Sequence, residues 1–240
     1  SGTITGYVGN DIHVVIPSAI DGIPVRQIGV RAFMGNDQIE TVVVSEGVSV
    51  IEGGAFLGCT GLVEIVLPGS IASINGRAFA GCENLTEIHL PEQVRYLGAG
   101  AFWGCTRLTH VTVPGSVWSY GSALFYGCVN LTSVQLPMGM HRLPDFTFAH
   151  CTSLTQVTIP ETVTSIGQGA FANATSLMTL KISERVESIR PGAFRGLESL
   201  QEITVDANNP SYINRDGVLF NRQVTKLVAY PAGLPDEQYA

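Results

Sequence analysis

Ala78-Phe79-Ala80-Gly81-Cys82-Glu83-Asn84-Leu85-Thr86-Glu87-Ile88-His89-Leu90-Pro91 carries the landmarks of a unit that recurs along the chain. Its phenylalanine is one of eight spaced 23 residues apart without a slip: Phe33, Phe56, Phe79, Phe102, Phe125, Phe148, Phe171 and Phe194. All five cysteines, Cys59, Cys82, Cys105, Cys128 and Cys151, fall three residues after a Phe, and the matching positions elsewhere hold Asn36, Ala174 and Leu197. The positions of Leu85, Ile88 and Leu90 are apolar in every copy. Five residues before each Phe stands a further rung: Ile28, Ile51, Ile74, Leu97, Tyr120, Leu143, Ile166 and Ile189. Proline closes five of the units, at Pro68, Pro91, Pro114, Pro137 and Pro160.

A period this regular implies stacking. Each unit is too short to bury its own apolar side, so neighbours share one continuous core. The spacing Leu85-x-x-Ile88-x-Leu90 is that of a short strand with one face inward. The proline after it removes a ladder donor and ends the strand. The Gly-Ala-Phe-x-Gly-Cys segments predict tight turns on the opposite side. Strands one unit apart must run parallel. The expected fold is an α/β-type repeat solenoid: a parallel β-sheet built from 23-residue units, with short helical or irregular turns opposite.

Composition narrows the function. A chain of 240 residues holds one or two domains. Charged residues make up 14%, well below the usual figure of about 25%, which excludes a charged disordered tail and most coiled coils. The net charge is −7, and the bases are 11 Arg and 2 Lys. No clustered basic face marks a nucleic-acid partner. No apolar run approaches the roughly 18 residues of a membrane span, so no membrane insertion is expected in this segment. No charged-then-apolar leader opens the chain, so any export signal is expected to have been removed or to lie outside it.

The Leu85-x-x-Ile88-x-Leu90 core resembles the L-x-x-L-x-L core of the leucine-rich repeats. With its Ala-Phe, Gly-Cys and Ile/Leu-Pro landmarks, the 23-residue unit looks like the bacterial surface subclass called BspA-like. The resemblance covers Val14 to about Tyr230. It departs where Ala174 and Leu197 replace cysteine, and where Ser183 and Asp206 replace proline. It implies a single leucine-rich repeat domain over 1–240: a leading unit at 1–31, repeats over 32–206, and a C-terminal cap hairpin at 207–240. In that hairpin, 216–220 and 224–228 read as strands around a turn at Asn221-Arg222, after Asn208-Asn209-Pro210 breaks the period. Tyr239-Ala240 could lead into another strand.

The thiols read as a buried ladder, because free Cys is among the most buried residue types. Five cannot all pair, and a one-dimensional row does not converge into a tetrahedral metal site. No catalytic or phosphate-binding motif occurs. The pattern implies no cofactor and no metal. Glu64, Glu87 and His110 form one lateral row of outward strand positions, with His89 and Thr112 beside it. A solvated polar row is the plainer account of it than an acid–base cluster. The rest of this face is rich in threonine, which β-propensity explains without a ligand.

Aromatic residues form the second candidate surface. Trp103 and Tyr126 share the position after Phe, whereas Trp118 and Tyr96 lie outward near the second apolar rung. Arg95 and His141 flank Trp118 laterally. Exposed Trp, Tyr and Arg are enriched at binding hot spots, and partly buried packing is the competing account. The resemblance implies a non-catalytic interaction module, extracellular or on the cell surface. Its expected role is adhesion to a protein or glycan ligand on host or bacterial surfaces. The alternative is a structural spacer with no ligand of its own.

Overall fold

The structure, a computed structural model, describes residues 2–234. A full repeat is a succession of three segments, two of strand and one of turns, except that the first segment is no strand at 84–91, where only Glu87 bridges to His110, nor at 153–160. The first is a parallel strand on the Leu-x-x-Ile-x-Leu segment, as in Thr41–Val44, Glu64–Val66, His110–Thr112, Ser133–Gln135, Thr179–Ile182 and Glu202–Val205. Register follows the sequence period: Val42 pairs with Ile65, Val111 with Val134 and Leu180 with Ile203. Burial alternates along these strands, as on the exposed–buried–exposed–buried pattern of Thr179–Ile182. The second segment is a two-residue strand at the Ile rung. There Ile28, Ile51, Ile74, Leu97 and Tyr120 align in one parallel sheet.

The third segment, around each Phe, is made of turns. Among the described residues there is no helix, and none is long and apolar enough to cross a membrane. The reason lies in how alternate N–H groups are used. In the second repeat the N–H groups of Ala55, Leu57 and Cys59 close turns onto Glu52, Gly54 and Phe56 at 3.0–3.1 Å. Those of Gly54, Phe56 and Gly58 reach forward to the carbonyls of Gly76, Ala78 and Ala80, at 2.7–3.0 Å. A helix would direct every N–H along its own axis, and this ladder directs half of them to the next repeat.

Such alternation needs left-handed backbone two residues either side of the Phe. Gly54 and Gly58 sit at φ 63° and 71°, where glycine carries no Cβ penalty. Arg31, Arg77, Ala123 and Phe146 occupy the first of these positions, and His150 and Asn173 the second, all at φ between 56° and 62°.

The core runs the length of the stack. Six consecutive Phe rings, Phe56 to Phe171, are fully buried, and the eight rings stack at 4.9–6.1 Å between centroids. A further buried rung stands eight residues before each Phe: Val25, Val48, Ile71, Val94, Val117, Met140, Val163 and Val186. The five thiols are free and buried as expected. Each also makes a polar contact. Cys59 Sγ–H donates to the Phe33 carbonyl at 3.0 Å, and Cys82 to Phe56 at 3.2 Å, a pattern kept through Cys151. The position therefore favours a small side chain that can also donate weakly. Burial pushes the thiols up, Cys59 to about 11 and Cys128 to about 12, with Cys82, Cys105 and Cys151 well above the ordinary value.

The two ends are closed differently. At the front, Thr3–Ile4 pairs with Gln27–Ile28, and the Tyr7 ring stacks on Phe33 at 5.3 Å. The Tyr7 N–H donates to Ala32 at 3.0 Å, so residues 3–7 act as a partial repeat that the Phe period does not announce. His13–Ile16 pairs with Thr41–Val44, and a two-residue turn at Asp21-Gly22 joins Ala19–Ile20 to Ile23–Pro24.

At the back, the period does not break at Asn209 but continues with altered chemistry. Asn209 lies 23 residues after Val186 and Tyr212 lies 23 after Ile189. Asn209 is 1% exposed. It donates to the Ser183 and Val186 carbonyls at 2.7 and 3.0 Å, and accepts from the Ser211 and Tyr212 N–H groups at 2.8 and 2.7 Å. The Tyr212 hydroxyl accepts the Ile189 N–H at 2.8 Å, in place of a strand carbonyl. The expected hairpin is a three-stranded antiparallel meander of Tyr212–Arg215, Val218–Asn221 and Leu227–Ala229. The expectation for Tyr239-Ala240 lies outside the described residues.

Candidate interaction surfaces

The strand face brings Glu87 and His110 together as directly paired residues. With His89, Thr109 and Thr112 they line a shallow cavity of about 400 Å³. Both ring nitrogens of His110 are engaged: Nδ1 meets Ser133 Oγ at 2.8 Å and Nε2 meets Thr112 Oγ1 at 3.3 Å. Both nitrogens thus meet hydroxyl groups, one on the next strand and one on its own. Among the described residues no three His, Cys, Asp or Glu side chains gather in a metal-holding group. The threonines of this face have structural roles too. Thr132 Oγ1 donates to the Thr109 carbonyl at 3.0 Å, and Thr109 Oγ1 to Thr86 at 3.5 Å.

Trp118 belongs to the Ile-rung face and is 75% exposed. Its N–H donates to the Arg95 carbonyl at 3.2 Å, which fixes the lateral relation read from the period. The Arg95 guanidinium turns away, donating to the Glu92 carbonyl and Gln93 Oε1. Tyr96 is exposed one repeat before. Trp118 and His141 line one cleft of about 490 Å³ with Arg142 and Asp145. Asp145 bonds Arg142 at 3.3 Å and Arg190 at 3.1 Å. The second pair spans two repeats, and nothing in the sequence period pointed to it.

Trp103 and Tyr126 lie on the turn face, in the turns after Phe102 and Phe125, whereas Trp118 precedes the Ser119–Tyr120 strand of the Ile rung. The two tryptophans therefore belong to separate surfaces. On the turn face the rings form a line. Trp103 and Tyr126 are 5.0 Å apart between centroids and tilted by 55°, and Tyr126 and His150 are 5.0 Å apart at 49°. The Arg77 guanidinium sits 5.3 Å from the Trp103 ring centroid, within cation–π range. Asn173 extends the line through His150 Nε2 at 3.4 Å. Sequence reasoning missed Arg77, His150 and Asn173. The signal was their departure from glycine at turn positions where other repeats keep it.

These features define a rigid, open-faced solenoid with solvent-facing side chains on three sides. The chain belongs to the leucine-rich repeat proteins of BspA type: that repeat region matches in six copies, over residues 26–151 and 119–228. Its fold is similar to that of the leucine-rich repeat protein of T. pallidum, at 38% identity and a TM-score of 0.71, covering 73% of this chain and 82% of that one. A leucine-rich cell surface protein of Faecalibacterium prausnitzii is 29% identical with a TM-score of 0.67; the match covers 95% of this chain and 57% of that one. A leucine-rich repeat protein of Bacteroides ovatus shares the fold at 23% identity and a TM-score of 0.56, over 81% of this chain and 63% of that one. No curated protein matches the chain.

Proposed function

We propose that the chain is a non-catalytic binding module of a bacterial surface or secreted protein, and that it adheres through the turn face. One observation carries this reading. The Arg77, Trp103, Tyr126 and His150 side chains form a continuous line across successive repeats. Arg77 and His150 hold that line from left-handed backbone positions, at φ 57° and 62°. Such positions cost a non-glycine residue about 1 kcal/mol or more. The F. prausnitzii relative is a leucine-rich cell surface protein, which supports the location. A run of tilted rings beside a guanidinium fits a protein or glycan ligand, which it would meet by stacking and planar hydrogen bonding.

The test is binding to immobilised matrix proteins and glycans, comparing wild type with Trp103→Ala, Tyr126→Ala and Trp118→Ala. Loss with the first two and retention with the third is expected. Loss with Trp118→Ala alone moves the site to the Ile-rung cleft. Unaltered binding in all three removes both aromatic surfaces. Absence of binding throughout favours the spacer, for which the uninterrupted Phe stack is the supporting feature.

A further inference from the structure

The turn ladder has a direction, and one end of it is open. In the seventh repeat Gly169, Phe171 and Asn173 donate N–H groups to Pro191, Ala193 and Arg195 at 3.3, 2.9 and 2.8 Å. Each of the first seven repeats uses the same three positions in this way. The eighth carries the same donors on Gly192, Phe194 and Gly196, with Gly192 and Gly196 both at φ 70°. Among the described residues none of these three N–H groups has an acceptor. A ninth turn would centre on residue 217, but Gly217 belongs to the turn between Tyr212–Arg215 and Val218–Asn221. The antiparallel meander has carried the chain aside.

The aromatic stack ends at the same place. Among the described residues Phe194 has one ring neighbour, Phe171 at 6.1 Å, and is only partly buried. A cleft of about 570 Å³ opens between it and the meander, rimmed by Arg190, Arg195, Tyr212 and Lys226. Alternate unpaired donors beside an uncovered ring make an open ladder edge, which is a template for added backbone.

The molecule itself defines what fits such an edge. In seven interfaces the occupant is the next Phe turn, with Ala before the Phe in five of them, and it presents carbonyls three and one residues before its Phe and one after. We propose that this end of the stack is a peptide-docking site that takes, from another polypeptide, a Gly-x-Gly-Ala-Phe-type turn whose carbonyls meet Gly192, Phe194 and Gly196 and whose ring covers Phe194. An intact second copy is a poor donor, since its own such turns are already paired within its stack. The site is separate from the Trp103 line and stands whether or not that line binds.

The probe is a cyclised synthetic peptide with the sequence of residues 167–173, titrated into the whole chain, with amide shifts and hydrogen exchange followed by NMR. Saturable shifts and slowed exchange at Gly192, Phe194 and Gly196 are expected. A peptide with alanine in place of Phe171 is expected to bind at least about tenfold more weakly, from the apolar area it no longer buries. Three results would overturn the proposal: shifts only at other amides or none, equal binding of the alanine peptide, or concentration-dependent protection of these amides without peptide. The last would identify a second copy as the occupant.

Discussion

Phe102→Ala tests the shared core at its middle. Phe102 is fully buried, with Phe79 and Phe125 stacked on its two faces at 5.8 and 5.7 Å. Truncating a buried Phe costs about 3–5 kcal/mol, with the exact value set by how far the site collapses. Little collapse is available here, because the flanking rings are held by ladder bonds on both sides. Domains of this kind typically have about 5–15 kcal/mol in total, so the loss is a large share. Position matters as well. In a stack where each repeat contacts only its neighbours, the lesion weakens two interfaces at once. The same substitution at Phe194 removes a partly buried ring with one neighbour, and is expected to cost no more than about half as much. The assay is urea unfolding followed by circular dichroism and by tryptophan fluorescence, since Trp103 adjoins the lesion. Phe102→Ala should lower the midpoint strongly and let the two signals part, as the halves uncouple. Equal losses for the two variants, or a larger one at Phe194, would refute a core held by additive neighbour contacts.

Ala123→Gly should stabilise the chain by about 1 kcal/mol, since Ala123 sits at φ 56° where glycine is unstrained; a lower thermal midpoint would contradict the turn geometry. Ser183→Pro should also stabilise, by about 1 kcal/mol, because the Ser183 hydroxyl is buried without a partner among the described residues. Five other repeats already hold proline there, and unfolding curves measure the change. The buried thiols predict an alkaline loss of stability: their folded pKa values are raised, so their contribution is complete below about 9.0, the ordinary value. It falls as pH rises toward about 11 for Cys59 and about 12 for Cys128. Each thiol adds a slope of about 1.4 kcal/mol per pH unit in that window, and Cys128→Ala should flatten the measured profile.

What could be read in advance follows from what the period exposes. Rows of identical side chains are visible in a sequence, so the Phe stack, the cysteine ladder and the parallel register were all legible. The Val25-to-Val186 rung has the same regularity and was open to the same reading. The ends were harder, because a cap satisfies backbone groups with unlike side chains. Tyr7 closes the front by one ring and one N–H, outside the Phe spacing. Asn209 and Tyr212 keep the spacing but replace apolar rungs with polar atoms that satisfy neighbouring backbone groups. The absence of helix turned on alternate N–H groups reaching the next repeat, which no local propensity reports. At the surface, sequence reasoning placed Trp103 and Tyr126 after the Phe and Trp118 near the second apolar rung, but did not join the first two to Arg77 and His150. The relation depends on the left-handed positions that set where each turn points.

Those positions are where framework and surface meet, and they allow recognition to be separated from packing accident. A residue on an outward strand position is nearly free to vary, so its identity says little. Arg77 and His150 are different, since each occupies a backbone conformation that glycine adopts without strain. His150→Gly removes both the strain and the ring that faces Tyr126 at 5.0 Å. If the line only packs, the lost ring contact offsets the relieved strain and ligand binding is untouched. If the line recognises a ligand, the variant gains about 1 kcal/mol of stability and loses affinity for that ligand. This opposite movement is the pattern of a site whose strain is retained for function. Unfolding and binding measured on the same protein decide between the two, and a variant that gains no stability and binds as before would show a packing role alone.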